Sequence, residues 1–214
     1  MRQGPDDLGP HMVDKETYSY EDDERYVYDN TDVLVNLFDI KDWAHLSEIE
    51  RSISGVRYAE LEELPIEGAF NLEHLCAIHR HLFGDIYPWA GKVRAKGFIA
   101  KGNSLFCSPE FIIPYSDELF RGLKNEKYLK ELDRDKFINR LAFYIAEINA
   151  LHPFREGNGR TQRAFINQLA RNAGWELNFS DINPNELREA YIESMHISTE
   201  HIERLLDEHV TPAR

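Results

Sequence analysis

Apolar side chains recur every three or four positions along most of the chain, which is the periodicity of an amphipathic helix. The pattern runs from Asn36 to Leu61, begins again at Asn71-Leu72-Glu73, and returns from Asp135 to Leu151 and from Thr161 to Ala173. The sequence therefore predicts a mainly α-helical fold.

Start signals predict three further helices. Ser108-Pro109-Glu110 combines a hydroxyl N-cap, a proline at the first helical position and an acid in the first turn, so a helix should run from there to about Leu123. Asn183-Pro184 and Ser198-Thr199 should start two terminal helices that end near His209.

One stretch favours β-structure. The short apolar runs Phe98-Ile99-Ala100 and Leu105-Phe106-Cys107 flank the polar turn Lys101-Gly102-Asn103-Ser104. Two such runs around a glycine-containing turn predict a small β-hairpin within Val93 to Phe106. A hairpin that merely caps the core is the alternative to one with a binding role.

Composition narrows the class of protein. Hydrophobic residues make up 42% and charged residues 29% of the 214 positions, which are globular values and allow one good core. The net charge of −13, with no basic stripe, argues against nucleic-acid binding. No apolar run reaches membrane-spanning length and no signal peptide opens the chain. Cys76 and Cys107 are isolated, which indicates free thiols in a reducing compartment.

The beginning of the chain differs from the rest. Residues 1–12 are rich in Gly and Pro and resemble an expression leader. Residues 13–35 form an acidic, tyrosine-rich arm, interpreted as an extended segment that aromatic rings anchor to a helical domain at 36–210. The alternative is that one of these tyrosines is a self-modification site. The arm's tyrosines are Tyr18, Tyr20, Tyr26 and Tyr28.

The stretch from His152 to Arg163 carries the clearest chemistry. Gly157-Asn158-Gly159 falls where a loop opens into a predicted helix, so the first backbone N–H groups lack partners and the helix dipole is positive. Glycines allow an anion to approach the backbone closely. These features predict a phosphate-binding site.

The neighbouring side chains fit a bound nucleotide. Arg160 and Arg163, three positions apart, suit charge-assisted contacts with phosphate oxygens. Glu156 is a hard carboxylate that could hold Mg²⁺ between two phosphates. His152 lies just before the loop and is the one side-chain type here whose unperturbed pKa suits a general base near neutral pH. The alternative, an ordinary turn in which His152 caps a helix, leaves both arginines and Glu156 unexplained.

The histidines of the second helix predict no metal site. His74, His79 and His81 are spaced five and two residues apart, which does not place them on one helical face. We expect them to be solvated or at the edge of the core.

The stretch resembles the signature of the Fic family, His-x-Phe-x-(Asp/Glu)-Gly-Asn-Gly-Arg-x-x-Arg, at every defined position. Tyr87-Pro88-Trp89-Ala90-Gly91 also resembles the family, and Ile99 to Asn103 is similar to Fic domains of bacterial effectors secreted into host cells. The resemblance covers about Asn36 to Leu206 and implies a Fic-fold helical bundle whose hairpin is a flap that docks the target. The flap residues are Phe98, Ile99, Ala100, Lys101, Gly102, Asn103, Ser104, Leu105 and Phe106.

The resemblance also implies an activity, the transfer of AMP from ATP to a Ser, Thr or Tyr hydroxyl of a target protein, with release of pyrophosphate. It implies that His152 takes the proton of the attacking hydroxyl and that Glu156 holds a Mg²⁺ ion on the α- and β-phosphates. Phe154 belongs to the core, where it fixes the loop. The expected nucleotide-binding residues are Gly157, Asn158, Gly159, Arg160 and Arg163.

Other activities stay open at this point. Family members that transfer a phosphate depart from the pattern at the second glycine, and the intact Gly159 favours nucleotidyl transfer. Uridylyl or phosphocholine transfer remains an alternative because no residue identifies the donor. A catalytically silent target-binding module is a second alternative, against which the intact His152 argues.

Regulation is expected to come from a separate protein. Many Fic proteins carry an inhibitory helix with the pattern Ser/Thr-x-x-x-Glu-Gly/Asn, and Thr199 with Glu203 fits only its first part because Arg204 follows. We expect instead a small antitoxin-like inhibitor that supplies the glutamate. The expected location is the bacterial cytoplasm or, for an effector, the host cytoplasm, where a host protein would be the target.

Overall fold

The computed structural model describes residues 18–20, 26–101 and 104–213, and it is mainly helical, as predicted. The helices are α1 (Trp43–Glu63), α2 (Leu72–Phe83), α3 (Pro109–Asn125), α4 (Arg134–Leu151), α5 (Asn158–Asn172), α6 (Pro184–Ser194) and α7 (Glu200–His209). Strands β1 (Tyr18–Tyr20), β2 (Ile99–Lys101) and β3 (Ser104–Leu105) form one antiparallel sheet in that order, and β4 (Trp175–Leu177) pairs with β5 (Val210–Pro212).

Helix α5 lies in the middle of the bundle. It packs against α1, α2 and α4, and every residue from Arg160 to Ala170 is buried. A helix buried on all sides is usually apolar, whereas α5 buries five long polar side chains. These are Arg160, Gln162, Arg163, Asn167 and Gln168. Such a concentration of buried polar groups costs stability unless the groups are paired or bind a ligand.

Side-chain caps mark two of the predicted helix starts. Asn71 accepts a hydrogen bond from the His74 N–H at 2.9 Å, and Asn183 caps α6 in the same way. The predicted start of the first helix at Asn36 is wrong. Asn36 ties up a loop through the backbone of Ile40, and α1 begins after Asp42, which caps it.

The hairpin is confirmed, with β2 paired to β3 and the Phe106 N–H bonded to the Ile99 carbonyl at 3.1 Å. Its predicted turn residues Gly102 and Asn103 lie outside the described residues. The other edge of β2 carries β1, in which Ser19 stands opposite Ala100.

Part of the N-terminal arm can be placed. Tyr26 meets Trp89 edge to face with ring centroids 5.7 Å apart, and the Tyr28 hydroxyl donates to the Asn36 carbonyl at 3.3 Å. These two rings confirm aromatic anchoring. The proposed leader, residues 1–12, lies outside the described residues.

The pair of β4 and β5 was not predicted. Each strand has three residues, and they are joined over more than thirty positions, so no local turn signal marks the pairing. Among the described helices, none is both long and apolar enough to cross a bilayer.

Candidate active site

His152 ends α4 in an unusual conformation. It is the C-cap residue, with φ 42° and ψ 60°, a left-handed conformation that is uncommon outside glycine and marks functional positions. Its ring stacks on Phe106 from the base of the flap, with centroids 3.8 Å apart. The flap and the predicted base are therefore in direct contact.

Arg94 connects the flap to the loop after α4, and sequence reasoning missed it. Its side chain is 2% exposed and donates to the carbonyls of His152 (2.8 Å), Gly97 (3.1 Å) and Cys107. Its own N–H donates to the Pro153 carbonyl at 2.9 Å. The contacts span up to 59 positions, and a lone arginine before a hairpin carries no pattern that predicts them.

Asn158 shapes the loop with its side chain. Its Oδ1 accepts from the Phe154 N–H at 2.9 Å, and its Nδ2 donates to the Phe154 carbonyl at 2.8 Å. Phe154 is fully buried, as expected for a residue that fixes the loop. The side chain of Asn158 is thus engaged in the loop, and its backbone is the part available to an anion.

The anion site predicted at Gly157-Asn158-Gly159 lies at the N-terminus of α5. The helix starts at Asn158, three residues before the predicted start at Thr161, because Gly157 takes a left-handed conformation with φ 78°. The Thr161 N–H bonds to the Gly157 carbonyl at 3.1 Å. Among the described hydrogen bonds, none uses the amides of Asn158, Gly159 or Arg160. These three N–H groups form the kind of helix terminus that binds phosphate.

His79 holds the loop before α5 through a hydrogen bond to its backbone. Its Nδ1 accepts from the Gly91 N–H at 2.8 Å, so its Nε2 carries the proton and donates to the Glu156 carbonyl at 2.9 Å. Burial lowers the pKa of His79 to about 3, which keeps the ring neutral. The prediction that the α2 histidines are solvated or at the core edge is wrong for His74 and His79, which are both buried. Both belong to the buried side of α2, together with Leu75, Ile78 and Leu82.

Glu156 offers a carboxylate beside these amides. Its Oε1 accepts from the Gly157 N–H at 2.9 Å, and the residue is partly exposed. Burial of the carboxyl group raises its pKa, and the nearby Glu50 carboxylate adds to the rise, while the Gly157 N–H and Arg160 oppose it. A bound cation would favour the charged form.

The two arginines of the motif have different surroundings. Arg160 forms a buried ion pair with Glu50 of α1 and donates to the Ser54 hydroxyl at 2.7 Å. Burial alone would lower the pKa of Arg160, but the Glu50 carboxylate reverses this effect and raises it. Sequence analysis missed Glu50, although it lies on the buried stripe of α1 that Leu46 and Ser54 share.

Arg163 is 6% exposed, and no ion pair of the described residues includes it. A Cβ on Gly159 would lie 3.4 Å from Arg163 Nη1, so the guanidinium folds back over the N-terminus of α5. Burial raises the pKa of the nearby Tyr191 phenol to about 12, and the positive charge of Arg163 opposes this rise. A buried cation of this kind calls for an anion from outside the chain.

The structure also places the predicted flap residues. Ile99 and Phe106 are buried, whereas Phe98 and Leu105 are about half exposed. Ser104 is buried and its hydroxyl lies 2.7 Å from His196 Nε2, which ties the flap to the segment between α6 and α7. The side chain of Lys101, like Gly102 and Asn103, lies outside the described residues.

Comparison with known proteins agrees with this geometry. The Fic/DOC family model matches residues 69–170. The chain is 41% identical over 186 residues to the protein adenylyltransferase VbhT of Bartonella schoenbuchensis, covering 87% of this chain and 39% of that protein. It is 40% identical over 168 residues to the probable protein adenylyltransferase y4lH of Sinorhizobium fredii, covering 78% of this chain and 85% of that protein.

A solved structure shares the fold. The BepC protein of Bartonella tribocorum, an effector crystallised with bound AMPPNP, superposes with a TM-score of 0.81 at 26% identity, covering 89% of this chain and 98% of that one. The chain spans well under half of VbhT but most of y4lH. Because the signature is complete and the chain matches 85% of y4lH at 40% identity, it belongs to the Fic/DOC family.

Proposed function

We propose that the chain transfers AMP from ATP to a hydroxyl group of a target protein. The observation that carries this proposal is the junction of α4 and α5, where His152, three open backbone amides and the uncompensated guanidinium of Arg163 meet. The names of the adenylyltransferase relatives and the AMPPNP in BepC support the choice of ATP as donor.

In this proposal His152 acts as the general base. The target hydroxyl oxygen attacks the α-phosphorus, its proton passes to the imidazole, and pyrophosphate leaves. The left-handed backbone, the stack on Phe106 and the bond from Arg94 fix the ring in one orientation. Such fixed geometry lowers the entropic part of the barrier.

The phosphates would bind at the N-terminus of α5. The amides of Asn158, Gly159 and Arg160 would donate to the α- and β-phosphates, and Arg163 would contact the outer phosphate with its fork of N–H groups. Charge stabilisation of this kind carries most of the catalytic effect in phosphoryl-group chemistry.

Glu156 fits a Mg²⁺ ion. The ion prefers carboxylate and phosphate oxygens and needs only one or two protein ligands, and the Glu156 carboxylate lies beside the amides, bonded to the Gly157 N–H at 2.9 Å. Among the described residues no group of three or more potential ligands exists, so a bound ion would rely on phosphate and water as well. When bound, Mg²⁺ would neutralise charge on the phosphates.

The flap would dock the target as an added strand. Main-chain hydrogen bonds to a strand edge supply register without regard to side chains, which suits a protein substrate. The edge of β2 that does not pair with β3 is covered by β1. A target that pairs with β2 must therefore displace β1.

A test compares donors. Candidate target proteins would be incubated with the chain, Mg²⁺ and either ATP, UTP or CDP-choline, and analysed by intact mass. We expect added mass of one adenylyl group, with ATP only, and none with His152→Ala. Added mass of a uridylyl or phosphocholine group would support the alternatives, and target binding without any adduct would support the silent module.

We further propose that an external protein supplies the inhibitory glutamate. The Glu203 carboxylate accepts from the Thr199 hydroxyl at 2.8 Å and from Asn139 at 3.3 Å, so local contacts at the start of α7 account for this partial motif. We propose that this partner is a small antitoxin-like protein and that the enzyme acts in the bacterial or the host cytoplasm. We also propose that the Fic domain comprises residues 36–210, preceded by the arm at 13–35 and the leader at 1–12.

A further inference from the structure

The two motif arginines, which look equivalent in the sequence, differ in their counter-charges. Arg160 has a carboxylate partner inside the bundle, Glu50, which is itself 4% exposed. Arg163 has no carboxylate partner among the described residues. A buried charge needs compensation, so only Arg163 has its charge available to a ligand.

Arg160 cannot leave its place without stranding Glu50. The Tyr87 hydroxyl donates to Glu50, and Ser54 takes the remaining guanidinium branch at 2.7 Å. Turning Arg160 towards a phosphate would leave a buried carboxylate without its cation. Breaking one side of a buried ion pair is among the most costly changes a core can undergo.

The same guanidinium supports the phosphate loop. Arg160 Cζ lies 4.7 Å from the centre of the Phe83 ring, which gives a cation–π contact. A Cβ on Gly157 would lie only 2.4 Å from Phe83, so that ring packs against the N-cap residue of α5. Glu50, Arg160, Phe83 and Gly157 thus form a continuous column of contacts that ends at the anion-binding amides.

We infer that Arg160 is a positioning residue, which Glu50 of α1 neutralises and holds against Phe83 so that the α5 amides keep their anion-binding geometry. Arg163 alone among the motif arginines contacts the outer phosphates. This inference rests on the proposed function only in assuming that the site binds a nucleotide.

The test removes the whole polar group together. The triple variant Glu50→Leu, Tyr87→Phe and Arg160→Met leaves no buried charge unpaired and so preserves folding better than any single change. The control is Arg57→Met with Glu60→Leu, which removes an exposed ion pair of the same helix together with its contacts to Asp85 and His81. Arg163→Met is measured beside them.

Calorimetry at a temperature where all variants are folded gives the affinities for AMP and for ATP with Mg²⁺. In the triple variant we expect both affinities to fall by the same factor, about tenfold, because both ligands place a phosphate on the displaced amides. In Arg163→Met we expect the preference for ATP over AMP to fall about tenfold while AMP binding changes little. The control should match the wild type.

Each other result has a distinct meaning. A selective loss of ATP affinity in the triple variant would make Arg160 a phosphate ligand and overturn the inference. Unchanged affinity for both ligands would reduce the column to a source of stability, which also overturns it. A wild type that binds neither ATP nor AMP would instead overturn the proposed function.

Discussion

Replacing His79 with phenylalanine should destabilise the protein, and the stability difference from the wild type should shrink as the pH falls. Phenylalanine keeps the stack on Phe154, whose ring centroid lies 3.9 Å away, but cannot bond to Gly91 or Glu156. Each of the two buried backbone groups left without a partner costs about 1–3 kcal/mol. His79→Phe should therefore lower the free energy of unfolding by about 2–6 kcal/mol at pH 8.

The sign of the pH effect follows from the pKa. In the folded protein burial lowers the pKa of His79 to about 3, against an ordinary value of 6.5. Below pH 6.5 the unfolded chain takes up a proton that the folded chain refuses, so wild-type stability falls as pH falls towards 3. At pH 5 this amounts to about 2 kcal/mol, from 1.36 kcal/mol per pH unit. The variant lacks this loss.

Urea denaturation followed by tryptophan fluorescence measures both effects. The stability gap between wild type and His79→Phe should narrow by about 2 kcal/mol between pH 8 and pH 5. His45→Phe, at an exposed position of α1, is measured in parallel as the control for the loss of a histidine. A difference in unfolding free energy between wild type and His79→Phe that stays constant between the two pH values would refute the neutral state of His79 with its two hydrogen bonds.

Four further predictions concern the site and its flap. His152→Ala should leave ATP affinity by calorimetry near wild type and reduce target modification at least a hundredfold, because only proton transfer is lost; wild-type turnover would contradict this. Arg163→Ala should lower modification and make the residual rate insensitive to a glutamate-bearing inhibitor, with no rescue by Arg163→Lys; undiminished inhibition in Arg163→Ala would refute the competition. Proline at Ile99 or Lys101 should impair target modification more than nucleotide binding, since the paired strand loses a donor; equal losses would leave the hairpin a structural role. Gly157→Ala should lower the melting temperature and weaken ATP binding, since its φ of 78° and the 2.4 Å approach to Phe83 both exclude a side chain; wild-type values would show that the loop can relax.

Local signals in the sequence were sufficient for much of the fold. Helices with a cap, such as α2 after Asn71 and α6 after Asn183, begin where predicted, because the cap and the first turn are contiguous. The hairpin and the loop before α5 were found for the same reason. The helix was predicted to begin at Asn36 because Leu37 and Ile40 follow at helical spacing. In the structure the Asn36 side chain instead bonds to backbone groups within four residues and closes a loop.

The supports of the site are long-range and were not predicted. Glu50 reaches Arg160 across 110 positions, and His79 reaches Glu156 across 77. One signal was nevertheless present. Glu50 lies four positions after Leu46, and His79 four after Leu75, so both polar residues stand on stripes that are otherwise apolar. A polar residue at such a position needs a partner from another element, but only the folded chain identifies it.

The most direct measurement of the central claim uses ATP labelled at one phosphorus at a time. The chain, Mg²⁺ and a protein extract that contains candidate targets would be incubated with α-labelled or γ-labelled ATP, in wild type and in His152→Ala, and the proteins separated and counted. The account predicts α-label in protein with the wild type that is absent with His152→Ala, and γ-label that is the same in both samples because the kinases of the extract produce it. γ-label that rises with the wild type, or α-label that persists in His152→Ala, would contradict AMP transfer through His152.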